Sequence, residues 1–142
     1  MKEFIPMTFK QLLLIPGLSV VCLLSACAGP MPKPDPGMAW IGLQEESPND
    51  MLAERVDGQR IDDGRFFEVT PGAHDLAVTL FEIPSGDSNQ EDCEGKVHFT
   101  QFKAGEHYRL VESSLGQEVS ARLEDSRGKQ LAQTGDFQCM PG

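Results

Sequence analysis

His74-Asp75-Leu76-Ala77-Val78-Thr79-Leu80-Phe81-Glu82-Ile83 alternates along its whole length. In an extended chain Leu76, Val78 and Leu80 share one face, while Ala77, Thr79 and Phe81 share the other. The first face is fully apolar and the second partly so, which predicts a strand covered on both sides at one end. Working outward, Phe66-Phe67-Glu68-Val69 precedes it across the turn signal Pro71-Gly72. Leu52 to Val56 is ambiguous in period and runs into Asp57-Gly58, a second turn signal. Ala39 to Leu43 is apolar enough for a first strand. Downstream, Val97 to Phe102 and His107 to Glu112 flank Lys103-Ala104-Gly105-Glu106 and read as a hairpin. Glu118 to Glu124 places Val119, Ala121 and Leu123 on one face, and Asp125-Ser126-Arg127-Gly128 turns into Lys129 to Gln133. No segment keeps a helical period. About seven strands, with turns every eight to twelve residues, predict an all-β chain built as a small antiparallel β-sandwich.

The N-terminal segment has a different character. Lys2 and Lys10 precede an apolar run from Leu12 to Leu24, interrupted by Pro16-Gly17. As a helix this run reaches roughly 20 Å, short of the roughly 30 Å hydrocarbon core of a bilayer, so it reads as a cleaved signal. Leu24-Ser25-Ala26-Cys27 closes the run. It resembles the lipobox of bacterial lipoproteins, which implies cleavage before Cys27 and acylation of that cysteine. The resemblance implies three acyl chains; at about 0.8 kcal/mol per buried CH₂, several chains hold where one does not. Ala28 follows Cys27 where such proteins retained at the inner membrane commonly carry aspartate, so the expected address is the outer membrane, with the domain in the periplasm.

The organisation expected is a signal peptide over 1–26, a lipid-anchored Pro/Gly-rich linker over 27–37 and a β-sandwich over 38–142. Alternate prolines at Pro30, Pro32, Pro34 and Pro36 favour an extended spacer of about 30 Å over helix or sheet. The chain carries a net charge of −10, and loss of Lys2, Glu3 and Lys10 makes the mature part slightly more acidic. That balance repels phosphate backbones and excludes a nucleic-acid partner. Of four cysteines, Cys22 leaves with the signal and Cys27 takes the lipid, so Cys93 and Cys139 are left as one pair in an oxidising compartment. A disulfide between them would stabilise the fold by about 4 kcal/mol on loop-closure grounds and hold down a C-terminal tail with little apolar content.

Val56-Asp57-Gly58, followed by Phe67-Glu68-Val69-Thr70-Pro71-Gly72-Ala73-His74-Asp75-Leu76-Ala77-Val78, resembles PEGA-type β-sandwich modules of bacterial envelope proteins. Phe102-Lys103-Ala104-Gly105-Glu106-His107-Tyr108-Arg109-Leu110 resembles a recurring segment of small uncharacterised lipoproteins of this kind. The resemblance implies a sandwich used for binding or display and carries no active site. The chain departs from the pattern at Gln59 to Arg65 and in the acidic loop Pro84 to Glu94.

Candidate chemistry is sparse. No nucleophile elbow, phosphate loop or zinc-protease motif is present, so no enzyme is expected. His98 and His107, set in the hairpin register, stand about 13 Å apart and cannot share a metal; His74, next to a turn, is expected to order that loop or face solvent. Asp87 to Glu94 alternates oxygen donors but lacks the glycine and glutamate of a calcium loop, so a solvated loop is expected. No cofactor is expected. Trp40, the only tryptophan, is expected in the core. Phe66 and Phe67 must face opposite sides; together with Phe81 and Phe102, Phe66 defines the candidate binding surface. The expected role is a non-catalytic structural or adaptor protein held to the membrane through Cys27, with an envelope protein as partner. The alternative is an inhibitor of a hydrolase such as lysozyme, for which an acidic surface suits a basic enzyme.

Overall fold

Ten strands follow one another along the chain: β1 (Ala39–Glu45), β2 (Asp50–Val56), β3 (Gln59–Arg60), β4 (Phe66–Val69), β5 (Gly72–Glu82), β6 (Glu91–Phe102), β7 (His107–Leu115), β8 (Glu118–Glu124), β9 (Gln130–Gln133) and β10 (Gln138–Pro141). The computed structural model describes residues 29–82, 91–115 and 118–141. The strands form two five-stranded sheets, ordered β4-β1-β7-β8-β9 and β10-β6-β5-β2-β3. The expected all-β sandwich is therefore the fold. Every strand pair is antiparallel except β1 with β7, which run parallel. The strand count exceeds the expected seven because the outermost strands β3, β4, β9 and β10 hold two to four residues each, too few to show alternation. Short edges also limit pairing with foreign strands.

The inner faces follow the alternation. Leu76, Val78 and Leu80 of β5 are fully buried, and register with β6 sets Val97 and Cys93 beside them. Met51 and Ala53 of β2 join the same layer. A bulge at Glu54 then resets the parity, so that Arg55 pairs with outward Ala77 and Val56 with inward Leu76. Leu52 to Val56, ambiguous in sequence, owes its mixed period to this bulge. The facing sheet supplies Ala39, Ile41, Phe67, Val69, Tyr108, Leu110, Ala121 and Leu123. Each large aliphatic or aromatic side chain buried here is worth roughly 1.5–3 kcal/mol. Ala77 is buried on the outer face, flanked in register by Arg55 and Lys96, which fits the expected double cover of β5.

The expected hairpin between Val97–Phe102 and His107–Glu112 does not form. β6 and β7 lie in different sheets, and Lys103–Glu106 arches from one to the other. Phe102 and Tyr108 both point into the interior and meet edge to face at 5.1 Å, which two strands of one hairpin would not need. The arch is pinned at both ends: Lys103 N–H donates to Tyr108 Oη at 3.0 Å, Gly105 N–H to Met38 O at 2.8 Å and Trp40 N–H to Glu106 O at 3.0 Å. Gly105 sits at φ 76°, a region that favours glycine. By contrast the Asp57-Gly58 turn is a true hairpin turn between β2 and β3, with φ of 52° and 81° at its two residues.

The chain divides at Lys33/Pro34. Before that boundary residues 29–33 are described; they are exposed and carry no regular structure. The part after it begins within the proline-rich stretch, where Asp35 orders the entry to β1. Its side chain accepts Gly37 N–H at 2.8 Å, its carbonyl accepts Met38 N–H at 3.0 Å, and its own N–H donates to Glu68 Oε2 at 3.3 Å. The signal segment, the lipobox residues Leu24, Ser25 and Ala26, and Cys27 lie outside the described residues, as does the loop over 83–90. Glu91–Glu94, expected in that loop, are strand residues paired with β10. Cys93 and Cys139 oppose each other in that pairing and form the expected disulfide.

Candidate functional site

The three phenylalanines of the expected binding surface do not share a face. Phe102 is 2% exposed and belongs to the core, edge-on to Phe99 and Tyr108. The reason is the arch: once the chain leaves β6 for the facing sheet, Phe102 closes that end of the interior. Phe81 is half-buried on the outer face of β5, where it lines a shallow cleft of about 350 Å³ with Glu45, Asp50, Met51 and Leu52. Phe66 lies on the outer face of the other sheet, on edge strand β4.

Phe66 has an unexpected companion. Trp40 is not in the core: Ala39 and Ile41 are fully buried, so Trp40 between them faces outward. Its ring stacks on Phe66 with centroids 4.1 Å apart and planes 11° off parallel. Gly42, in register with Phe66 and two residues beyond Trp40, contributes no side chain to that face. Both rings are half-buried, an arrangement that holds two aromatic edges at the surface with few rotamers left to lose. The signal was present in the alternation of Ala39 and Ile41, and the rarity of tryptophan obscured it. Glu68 and His107 flank Trp40 in register on either side. Glu68 also receives Asp35 N–H, so the aromatic pair sits beside the point where the proline-rich segment enters the sandwich.

Further along the same sheet, Arg122 donates to Glu124 Oε1 at 2.7 Å and to Glu46 Oε1 at 2.8 Å, while Arg109 reaches Glu124 Oε2 at 3.4 Å. The Arg122 guanidinium holds the Glu46 carboxyl below its ordinary range. Val111, on this outer face and in register with Arg122, is only 1% exposed. These ion pairs and aliphatic stems shield an apolar side chain.

Two of the histidines, His74 and His98, are bonded within the fold. His74 Nδ1 lies 2.6 Å from Asp57 Oδ2, and its Nε2 lies 2.8 Å from Thr70 O and 3.0 Å from Thr70 Oγ1. The order threonine, histidine, aspartate resembles a hydrolytic triad, but the carbonyl of Thr70 occupies the nitrogen that would activate the hydroxyl. His74 instead ties the turn after β4 to the turn after β2. Asp57 Oδ1 accepts Asp75 N–H at 2.8 Å. That bond, followed by His74, holds the Asp57 carboxyl below its ordinary range. Asp75 Oδ1 then meets His98 Nδ1 at 2.5 Å. His98 and His107 are on different sheets, so the 13 Å hairpin spacing expected for them does not apply. No three ligand-type side chains converge on a common point among the described residues.

At the far end of the sandwich Glu112 is fully buried, and its carboxylate takes Ser47 N–H at 3.2 Å and the Ser47 hydroxyl at 2.9 Å. Glu112 O accepts Glu46 N–H at 3.1 Å. This glutamate therefore fastens the β1–β2 loop across the end of the core, a role invisible in an alternating strand where position 112 reads as one more inward residue.

No protein-family model matches the chain, and neither a curated protein nor a solved structure matches it. The geometry stands by itself: a filled sandwich with a half-buried aromatic pair on one outer face and turns braced by His74. No helix among the described residues is long and apolar enough to cross a membrane.

Proposed function

We propose that this chain is a non-catalytic, lipid-anchored binding domain of a bacterial envelope, tethered to the outer membrane through acylated Cys27 and facing the periplasm. The stacked, half-exposed Trp40–Phe66 pair carries the binding part of the reading. Both rings stand outside the core cluster, and rigid aromatics are the side chains that anchor protein contacts. The lipobox at Leu24–Cys27, the proline-rich spacer and the resemblance to PEGA-type modules supply the anchoring part. Capture of envelope proteins on the immobilised chain tests the first part. Trp40→Ala and Phe66→Ala should each remove the captured protein while leaving the far-ultraviolet dichroism intact; capture unchanged in both overturns the site. Metabolic labelling with an alkyne fatty acid tests the second, since Cys27→Ser should abolish incorporation.

A second reading, inhibition of a cationic hydrolase, has one observation in its favour. The end of the sandwich away from Pro34 gathers Glu45, Asp50, Asp92 and Glu118, while Glu46 beside them is paired with Arg122. Such a surface steers a basic enzyme. A lysozyme turbidity assay with equimolar protein decides it: undiminished lysis removes this reading.

A further inference from the structure

β6 is twelve residues long, yet β10 pairs with only its first four, Glu91 to Glu94. From Gly95 to Phe102 the strand is bonded to β5 on one side alone. Among the described residues no turn or loop hydrogen bond reaches its other side. In an antiparallel strand alternate residues direct both backbone groups outward, so this stretch presents a row of donors and acceptors about 26 Å long at roughly 3.3 Å per residue, with the alternation shifted between Phe99 and Phe102, where the register with β5 slips.

The edge ends where it does for a packing reason. β10 approaches β6 antiparallel, and its upstream continuation would cover Gly95 onward. Instead the chain before it leaves for the facing sheet, and Phe137 lays its ring over Gly95, with its Cε1 1.4 Å from where a Cβ would stand. Strand addition on this edge is thus already realised within the molecule, and it stops at Phe137. Below that point Phe99 and Leu131 are only partly buried against the core, leaving apolar surface along the seam between β6 and β9.

We propose that the free edge Gly95–Phe102 receives an extended acidic segment of a partner protein, added antiparallel to β6 as a continuation of the β10 ladder. Charge selects the occupant. In a chain with 22 acidic residues, Gly95–Phe102 has none; it carries Lys96 on its outward face, with His98 beyond it already bonded to Asp75 of β5. The Lys96 side chain is 72% exposed, its contact with Glu94 a long 3.5 Å. A second copy fits less well in the two-fold register centred on Lys96, which sets Lys96 against Lys96, because like charges directly opposed destabilise a pair. This inference deepens the binding reading above and rests on it for its biology, while its test is independent of the Trp40 surface.

The probe is a capped, fluorescein-labelled nonapeptide alternating valine with glutamate and threonine, titrated into the full chain purified in detergent. Saturable anisotropy is expected, with slowed hydrogen exchange confined to 95–102. Lys96→Glu should weaken binding about tenfold, since one or two favourable cross-strand pairs become repulsive. N-methylation of alternate peptide amides should abolish it. No binding at millimolar peptide, protection outside 95–102, loss of protection in β10, or self-association that already protects this edge would each overturn the proposal. Envelope capture that still depends on Trp40 in the same preparation would then show that the edge inference alone had failed.

Discussion

An alanine at Gly95 would need space that the Phe137 ring already fills. The added methyl carbon would lie 1.4, 2.0 and 2.5 Å from Cε1, Cδ1 and Cζ of that ring, all well inside any contact distance, so the ring must leave. Phe137 is partly buried against the core, and its displacement forfeits part of a phenylalanine's packing, about 2–3 kcal/mol. For a domain near one hundred residues that lowers Tm by roughly 10 °C. The disulfide at Cys139, two residues on, prevents the segment from drifting to a new seat. The discriminating assay is a double-mutant cycle by urea denaturation with Gly95→Ala, Phe137→Ala and both together. With the ring gone, the methyl has room, so Gly95→Ala should cost almost nothing in the Phe137→Ala background, giving a coupling close to the full single-mutant effect. Additive losses would refute the reasoning, because they would mean that Gly95 matters for its backbone and not for the ring above it.

Four further outcomes are expected. Cys139→Ser should lower stability by about 4 kcal/mol through release of the loop to Cys93, measured as a shift in the urea midpoint that reductant reproduces in the parent and not in the variant. The carboxyl of Asp57 is held below its ordinary range by Asp75 N–H and His74. Its contribution is therefore present above the unfolded carboxylate range and is lost as pH falls through the lower folded value. Asp57→Asn should flatten the stability profile below about pH 4, and parallel profiles would contradict the assignment. Asp63, drawn down to about 2 by Arg65, should persist ionised to lower pH in the same titration followed by carboxyl NMR. Glu112→Ala strands the N–H and hydroxyl of Ser47 at the end of the core and should cost about 1–3 kcal/mol, with faster hydrogen exchange in the β1–β2 loop; unchanged exchange there would deny Glu112 its fastening role.

The parts of the candidate site legible in sequence were those set by local alternation. Phe66 and Phe67 had to face opposite ways, and they do, with Phe67 buried and Phe66 outside. Phe81 likewise falls on the outward face of β5. Trp40 could have been placed by the same parity, since Ala39 and Ile41 bracket it, and misplacement came from giving residue type more weight than position. Phe102 could not. Whether its alternation points it to solvent or to the interior depends on whether the chain returns beside β6 or crosses to the other sheet, and a four-residue connection with one glycine permits both.

By itself the amino-acid order determined the strand-built class, the turns at Asp57-Gly58 and Pro71-Gly72, and the inward sets in β5 and β8, because a period of two and left-handed turn residues are local properties. The pairing of Cys93 with Cys139 followed by elimination, on the expectation that a leader and its lipid take Cys22 and Cys27. The tertiary structure alone decided which strands are neighbours: β1 beside β7 in parallel, β6 and β7 apart, and β10 covering only a third of β6. Backbone hydrogen bonds are chemically alike in every strand. Partner choice is therefore settled by where distant side chains pack, as when Phe102 meets Tyr108 across the interior and Phe137 takes the space above Gly95.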